Sequence, residues 1–221
     1  MVRSPFRTPT LAVFLLSLIA VGCGGADEGA APVDADPPTP SPGLDGAALG
    51  SQGLSPEQEA FWGHLEDLCG GAFVGTPVEA PDDSDWWEAE LVMHVRECEE
   101  EEIRIPLHVN DDRSRTWVVT RTADGLRLKH DHRLRDGTPD ASNTEYGGDT
   151  RTPGSEVRQE FPADAYSIGV VPARESQFWF LEVRPDDVFV YGLLREATGL
   201  AYRVEFDLTA PVEPPPAPWG F

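Results

Sequence analysis

The feature that most constrains the fold of this chain is a series of nine short segments in which apolar and polar residues alternate. Alternation with a period of two residues is typical of β-strands, and most of the connections are too short for a parallel crossover. We therefore predict an all-β domain: one antiparallel meander of about 8 to 10 strands that closes into a β-barrel and so removes its free edges. The segments are AFVGTPVEA, ELVMHVREC, EIRIPLHV, RTWVVTRT, GLRLKHDH, VRQEFP, QFWFLEVR, VFVYGLLRE and YRVEFDLT.

One short helix is predicted just before the first strand. Ser55 is suited to the N-cap, Pro56 to the first helical position and Gln58 to the third position of a capping box. The glycine pair Gly70-Gly71 is expected to end this helix before the sheet begins.

The first 22 residues have the pattern of a secretory signal peptide. Arg3 and Arg7 precede an apolar run over residues 11–22, which is short for a membrane span. The run ends in Ala-Val-Gly followed by Cys23, which resembles the lipobox of bacterial lipoproteins. This resemblance implies that Cys23 is lipidated and that its acyl chains anchor the protein to a membrane of the bacterial cell envelope, facing the periplasm or the cell surface. The alternative is ordinary signal cleavage that leaves Cys23 as a free thiol.

Composition divides the remainder of the chain into three parts. Residues 23–54 contain no aromatic residue and few large aliphatic ones, which predicts a disordered tether. Residues 55–210 form the predicted barrel domain. Residues 211–221 are rich in proline, and we interpret them as an extended strap that lies on the barrel wall, or alternatively as a docking peptide for a partner.

Charge and cysteine content constrain the partners and the compartment. The net charge of −22 disfavours nucleic acid as a partner, because an acidic surface repels phosphate backbones. If Cys23 carries lipid, Cys69 and Cys98 remain, and an even pair in an oxidising compartment predicts a disulfide. A catalytic or metal-binding thiol is the alternative, although neither cysteine lies in a recognised motif.

The layout of a short helix, a G-x-F-x-G turn and a long meander resembles the lipocalin-like (calycin-like) architecture of small extracytoplasmic ligand carriers. The segments FWGHLEDLCGGAFVG, DRSRTWVVTRT, RQEFPAD and PPAPWGF are also similar to a family of uncharacterised secreted bacterial proteins. The first resemblance implies a barrel with an internal ligand site. The second implies no activity.

Two adjacent strands each combine an apolar face with a cationic face. His94 and Arg96 alternate with apolar residues on one strand, and Arg104 and His108 do so on the next. These four side chains are candidate ligands for an anion, with the arginines gripping a carboxylate or phosphate. The alternative is a solvated outer face.

The segment KHDHR contains two histidines separated by one residue. Alternation places His130 and His132 on the face of Leu126 and Leu128, away from Asp131. Two inward imidazoles are candidate ligands for a transition metal, or alternatively polar residues hydrogen-bonded at a strand end. The long loop that follows is rich in oxygen ligands, and we interpret it as a calcium site or as a mobile lid hinged at Gly147-Gly148.

We interpret the chain as an extracytoplasmic lipoprotein whose barrel binds a small molecule without catalysis. Two alternatives are a metal-binding or metal-dependent enzyme centred on His130 and His132, and a scaffold that docks an envelope partner. The absence of nucleophile-elbow, zincin, P-loop and dinucleotide-binding motifs favours binding over catalysis. The aromatic candidates for the walls of this interior site are Trp117, Phe178, Phe180, Tyr191 and Phe206, and the alternative for each is an ordinary core residue.

Overall fold

A computed structural model describes residues 53–196 and 199–221 of the chain. The predicted signal peptide, Cys23 and nearly all of the predicted tether lie outside the described residues. The described part is an 11-stranded antiparallel sheet that is nearly closed into a barrel, so the predicted all-β, lipocalin-like fold is confirmed.

The described part contains two short helices, α1 (Pro56–Glu66) ahead of the sheet and α2 (Ala165–Val170) within it in sequence. Single 3-10 turns span Asp85–Trp87 and Pro172–Arg174. The strands are β1 (Ala72–Glu79), β2 (Leu91–His94), β3 (Glu97–Cys98), β4 (Glu102–Val109), β5 (Asp112–Thr122), β6 (Gly125–His132), β7 (Tyr146–Asp149), β8 (Arg158–Pro162), β9 (Gln177–Arg184), β10 (Val188–Arg195) and β11 (Gly199–Val212).

The strands follow one another around the barrel in chain order. The hydrogen-bonded path runs β7-β6-β5-β4-β2-β1-β11-β10-β9-β8, and β3 pairs with β4 beside this path. Because β1 pairs with β11, the first and last strands join, and the remaining gap lies between β7 and β8. The amide of Asp164 bridges this gap with a 2.9 Å hydrogen bond to the carbonyl oxygen of Gly147.

Strand β7 is the main difference from the sequence prediction. It includes Gly147 and Gly148, so the prediction that these residues form a hinge is wrong. A β-carbon on Gly147 would lie 1.9 Å from the carbonyl oxygen of Leu128, and one on Gly148 would lie 1.8 Å from that of Pro162. The glycines are therefore required because two backbones approach β7 closely at the seam of the barrel.

Helix α1 closes one end of the barrel. Ser55 and Gln58 form the predicted capping box. Phe61, Trp62 and Leu65 are at most 1% exposed and join the core formed by the inward faces of the strands. Burial of each such side chain stabilises the folded state by about 1.5 to 3 kcal/mol, so the packing of these three residues holds the helix against the end of the barrel. Among the described residues, no helix is long and apolar enough to span a membrane.

A disulfide links Cys69 to Cys98, which confirms the predicted pairing. Cys69 follows α1, and Cys98 lies in β3. The bond therefore ties the helical plug to the barrel wall, across a sequence separation of 29 residues.

Candidate functional site

The end of the barrel opposite α1 carries a pocket. Strands β6 and β10 end here, and strands β7, β9 and β11 begin here. The pocket has a volume of about 190 Å³. It is lined by Trp86, Tyr146, Arg174, Gln177, Trp179, Tyr191, Leu193, Arg195 and Tyr202, and we call it the mouth pocket.

Aromatic rings form the walls of the mouth pocket. Trp86 packs against Tyr202 with ring centroids 5.1 Å apart, and Tyr146 packs against Trp179 at 5.6 Å. Tyr191 stacks on Trp117, deeper in the barrel, at 4.4 Å. Flat walls of this kind suit a planar ligand, because aromatic pairs prefer stacked or edge-to-face contacts.

Two arginines supply the charge of the mouth pocket. The Cζ atom of Arg174 lies 4.3 Å from the centroid of the Tyr146 ring, and Arg195 stands at the end of β10. Of the fifteen Lys and Arg residues in the described ranges, ten form ion pairs with carboxylates, and Arg174 and Arg195 are not among them. Two guanidinium groups that have no carboxylate partner among the described residues, in a strongly acidic chain, make this pocket suited to an anion.

His130 lies directly beneath the mouth pocket and is almost completely buried. Its Nδ1 is 3.1 Å from the carbonyl oxygen of Tyr146, and its Nε2 is 3.0 Å from the hydroxyl of Tyr191. A carbonyl oxygen only accepts, so Nδ1 carries the proton and Nε2 accepts the hydrogen bond donated by Tyr191. The neutral ring thereby holds both tyrosines at the floor of the pocket.

His132 supports Tyr146 in a second contact. The Nδ2 of Asn143 is 3.2 Å from His132 Nδ1, and His132 Nε2 is 3.2 Å from the hydroxyl of Tyr146. With the amide of Asn143 donating to Nδ1, Nε2 carries the proton and donates to the tyrosine oxygen. The hydroxyl hydrogen of Tyr146 is then not used in its contact with His132.

Burial keeps all four members of this network neutral near pH 7. Desolvation lowers the pKa of His130 to about 3 and that of His132 to about 4. It also raises the pKa of Tyr146 to about 12 and that of Tyr191 well above its ordinary value. The network therefore orients hydrogen-bond donors and acceptors, and the positive charge of the site comes from the arginines.

The predicted metal site at His130 and His132 stays a prediction, and the geometry does not favour it. Each ring nitrogen of the two histidines already has a protein partner, so neither ring has a lone pair directed at an open site. No group of three metal-ligating side chains occurs within the described residues. The oxygen-rich loop after β6 likewise contains no such group in its described positions.

The four residues predicted to bind an anion lie on the outer side of the wall. Arg96 pairs with Glu97, and Arg104 pairs with Glu102 and Asp131, so both charges are already compensated. His94 and His108 lie on the same outer side but are buried, at 9% and 5% exposure. These residues do not reach the mouth pocket.

Of the predicted aromatic lining, the structure brings only Tyr191 into the mouth pocket. Trp117 and Phe206 pack together in the core, with ring centroids 6.1 Å apart. The assignment of Phe180 to the interior is wrong, because its ring packs on Val188 and Val190 outside the barrel, beneath the guanidinium of Arg158.

Phe178 shares the outer face of β9 with Phe180, and its assignment to the interior is also wrong. The inward face of this strand instead carries Gln177 and Trp179, which alternation on its own did not single out. The sequence did contain a clue to this orientation. Glu182 lies on the same face of β9 as both phenylalanines, and a charged residue marks that face as the polar, outer one.

In comparisons with known proteins, no family model, no curated protein and no solved structure matches this chain.

Proposed function

We propose that this protein is a non-catalytic binding protein whose barrel mouth takes a small planar molecule carrying a carboxylate. One observation carries the proposal: two arginines without carboxylate partners in the described ranges, Arg174 and Arg195, converge on one aromatic pocket. A chain with 39 acidic and 17 basic residues has ample carboxylates to pair them. Leaving both unpaired at one pocket favours a ligand that brings its own negative charge.

The shape of the pocket restricts the ligand further. Its volume of about 190 Å³ is below the roughly 300 Å³ at which pockets for drug-sized ligands begin. The barrel centre behind it is filled, since Trp117, Phe189 and Phe206 pack on one another there. A ligand of one ring and one carboxylate fits this space, with the ring between Trp179 and Trp86 and the carboxylate on the guanidinium groups.

We further propose that the protein acts outside the cytoplasm as a lipoprotein anchored through Cys23. The apolar run ending in Ala-Val-Gly-Cys supports this localisation, and so does the disulfide, because such bonds persist in oxidising compartments. The tether would then hold the barrel away from the membrane and leave its mouth accessible to small molecules.

A binding experiment with two matched probes tests the proposed function. Benzoate and benzyl alcohol have similar size and ring shape, but only benzoate carries a charge at neutral pH. We expect benzoate to quench tryptophan fluorescence with saturation, and benzyl alcohol to bind at least about tenfold more weakly, since a charge-assisted hydrogen bond contributes about 1.5 to 3 kcal/mol.

Variants locate the site. Arg174→Gln and Arg195→Gln should each weaken benzoate binding by about tenfold and leave benzyl alcohol unaffected. Arg151→Gln is the matched control, because Arg151 also forms no ion pair within the described ranges but lines a different pocket. Equal affinity for the two probes, or benzoate binding unchanged in both mouth variants, would contradict the proposal.

A further inference from the structure

Residues 211 and 212 extend β11 and pair with β1, so the C-terminal strap comprises residues 213–221 and not the predicted 211–221. The strap lies against the outside of the barrel at the hairpin between β4 and β5. The amide of Trp219 donates a 3.1 Å hydrogen bond to the carbonyl oxygen of Arg113, and Arg113 Nη1 donates one of 3.3 Å to that of Ala217. The Cζ atom of Arg133, the residue that follows β6, lies 4.5 Å from the centroid of the Phe221 ring and holds the end of the strap there. The strap and the barrel wall together form the two sides of a cleft.

The cleft contains a pocket of about 380 Å³, which we call the strap pocket. The hairpin contributes His108, Asn110, Asp111 and Arg113, the loop after β6 contributes Arg135, and the strap contributes Pro216 and Trp219. None of these residues lines the mouth pocket.

Two guanidinium groups that line the strap pocket have no carboxylate partner in the described part of the chain. Neither Arg113 nor Arg135 forms an ion pair with any described residue. Arg135 instead stacks on Trp219, with its Cζ atom 5.4 Å from the ring centroid. As at the mouth pocket, these uncompensated charges stand out because most basic side chains of this acidic protein are paired.

His108 provides an independent indication of a missing partner. The residue is 5% exposed, and its Nε2 is buried without any hydrogen-bond partner in the described part of the chain. Burial lowers the pKa of His108, and the charges of Arg113 and His94 lower it further, against the opposing effect of Asp112. A buried polar nitrogen without a partner costs about 1 to 3 kcal/mol, so a small shift of the His108 ring that let a ligand in the adjoining pocket supply the partner would be favourable.

We propose that the strap pocket is a second binding site, which takes a phosphate group that is either free or carried by a small hydroxylated molecule. Arg113 and Arg135 would bind the phosphate oxygens, with His108 beneath them. Asp111 would accept hydrogen bonds from hydroxyl groups of the ligand, and the Nδ2 of Asn110, whose Oδ1 already accepts from the Glu90 amide, would donate to them. The carboxylate of Asp111 disfavours a second anionic group at this place. The exposed part of Trp219 would cover the ligand and so fasten the strap to the barrel.

Isothermal titration calorimetry on the full chain tests this site, with three probes: inorganic phosphate, glycerol phosphate and glycerol. We expect both phosphates to give a saturating single-site isotherm and glycerol to give none. Tighter binding of glycerol phosphate would identify a phosphate ester as the class of ligand, and equal binding would identify free phosphate. Absence of heat from both phosphates would overturn the proposal.

The decisive variant is Arg135→Gln, because the Arg135 guanidinium stacks on the side chain of Trp219 and its loss leaves the backbone hydrogen bonds of the strap intact. We expect this variant to weaken phosphate binding by about tenfold, which corresponds to a loss of about 1.4 kcal/mol of binding free energy. Arg113→Lys is a second variant that keeps the charge but loses the forked geometry, and it should weaken binding to a smaller extent.

Arg151→Gln is the control and should bind phosphate as the unaltered chain does. Phosphate binding that survives Arg135→Gln but is lost in Arg174→Gln would place the anion at the mouth pocket and overturn the strap site. The proposal does not rest on the function of the mouth pocket, and benzoate binding should be unchanged in Arg135→Gln.

Discussion

The Nε2 atom of His130 accepts a hydrogen bond from the hydroxyl of Tyr191 at 3.0 Å, in a region where both rings are buried. The other ring nitrogen donates to the backbone of Tyr146, so Tyr191 is the partner that completes the imidazole. This contact connects the two features at the open end of the barrel: a neutral buried histidine and an aromatic pocket whose floor that histidine positions.

Loss of the Tyr191 hydroxyl should therefore destabilise the fold. Tyr191→Phe leaves the lone pair of His130 Nε2 buried and unpaired, and we expect the free energy of unfolding to fall by about 1 to 3 kcal/mol. Urea denaturation measures this change. Tyr202→Phe is the control, because the Tyr202 ring packs on Trp86 and its hydroxyl makes no hydrogen bond with the described residues. A similar loss in both variants would show that the His130 contact is not the cause.

Stability should depend on pH through the buried histidines. The folded-state pKa values of His130 and His132, about 3 and about 4, lie below the ordinary value of 6.5. Between these values the unfolded chain binds protons that the folded chain does not, so stability is present above about pH 6.5 and is lost as the pH falls. Lowering the pH from about 7.5 to about 5 should cost roughly 3 to 4 kcal/mol from this pair.

Urea denaturation at the two pH values measures this dependence, and His132→Gln should remove about half of the contribution of the pair, or about 2 kcal/mol. His94 and His108, whose pKa values are also lowered by burial, act in the same direction. His64→Gln is the control, since His64 lies on α1, away from the network. A pH dependence that is the same in His132→Gln and in the unaltered chain would contradict the assignment.

The seam of the barrel should not tolerate a β-carbon in β7. Gly147→Ala and Gly148→Ala each place a methyl group within 2 Å of a backbone carbonyl oxygen, and we expect each to cost more than about 3 kcal/mol. Gly169→Ala, at a helical position with nothing within 4 Å of the added carbon, should leave stability unchanged or slightly higher. Thermal unfolding followed by circular dichroism distinguishes the sites. Normal stability of Gly147→Ala would show that the strands do not approach as closely as described.

The disulfide should contribute measurably to stability. Closing a loop across 29 residues between Cys69 and Cys98 corresponds to about 3 to 4 kcal/mol in the chain-entropy estimate. The double variant Cys69→Ala, Cys98→Ala should lose this amount in urea denaturation, and a reductant should lower the stability of the unaltered chain to the same level. Insensitivity of the unaltered chain to the reductant would contradict the bond.

The sequence predicted the barrel well because its signal is local. Alternation of apolar and polar residues identified β1, β4, β5, β6 and the last four strands, and the capping residues identified α1. Strand β7 was missed because two glycines in a short segment have the composition of a turn, whereas their role depends on the closeness of β6 and β8. That closeness is a property of the closed barrel and has no local signature.

The candidate site was predicted less well, for a related reason. Tyr191 and His130 were identified, but the mouth pocket also draws Trp86, Arg174 and Arg195 from three separated segments. The two arginines matter because they form no ion pair with a described carboxylate, and tertiary contacts decide which arginines form ion pairs. Arg96 and Arg104 look equally suited to an anion in the sequence, yet the structure neutralises both with carboxylates.

A crystal structure of the protein grown with benzoate tests the central claim most directly. We predict that the carboxylate lies within hydrogen-bonding distance of the guanidinium groups of Arg174 and Arg195, with the ring against Trp179. Benzoate bound elsewhere on the chain, or an empty mouth pocket at saturating benzoate, would contradict the claim.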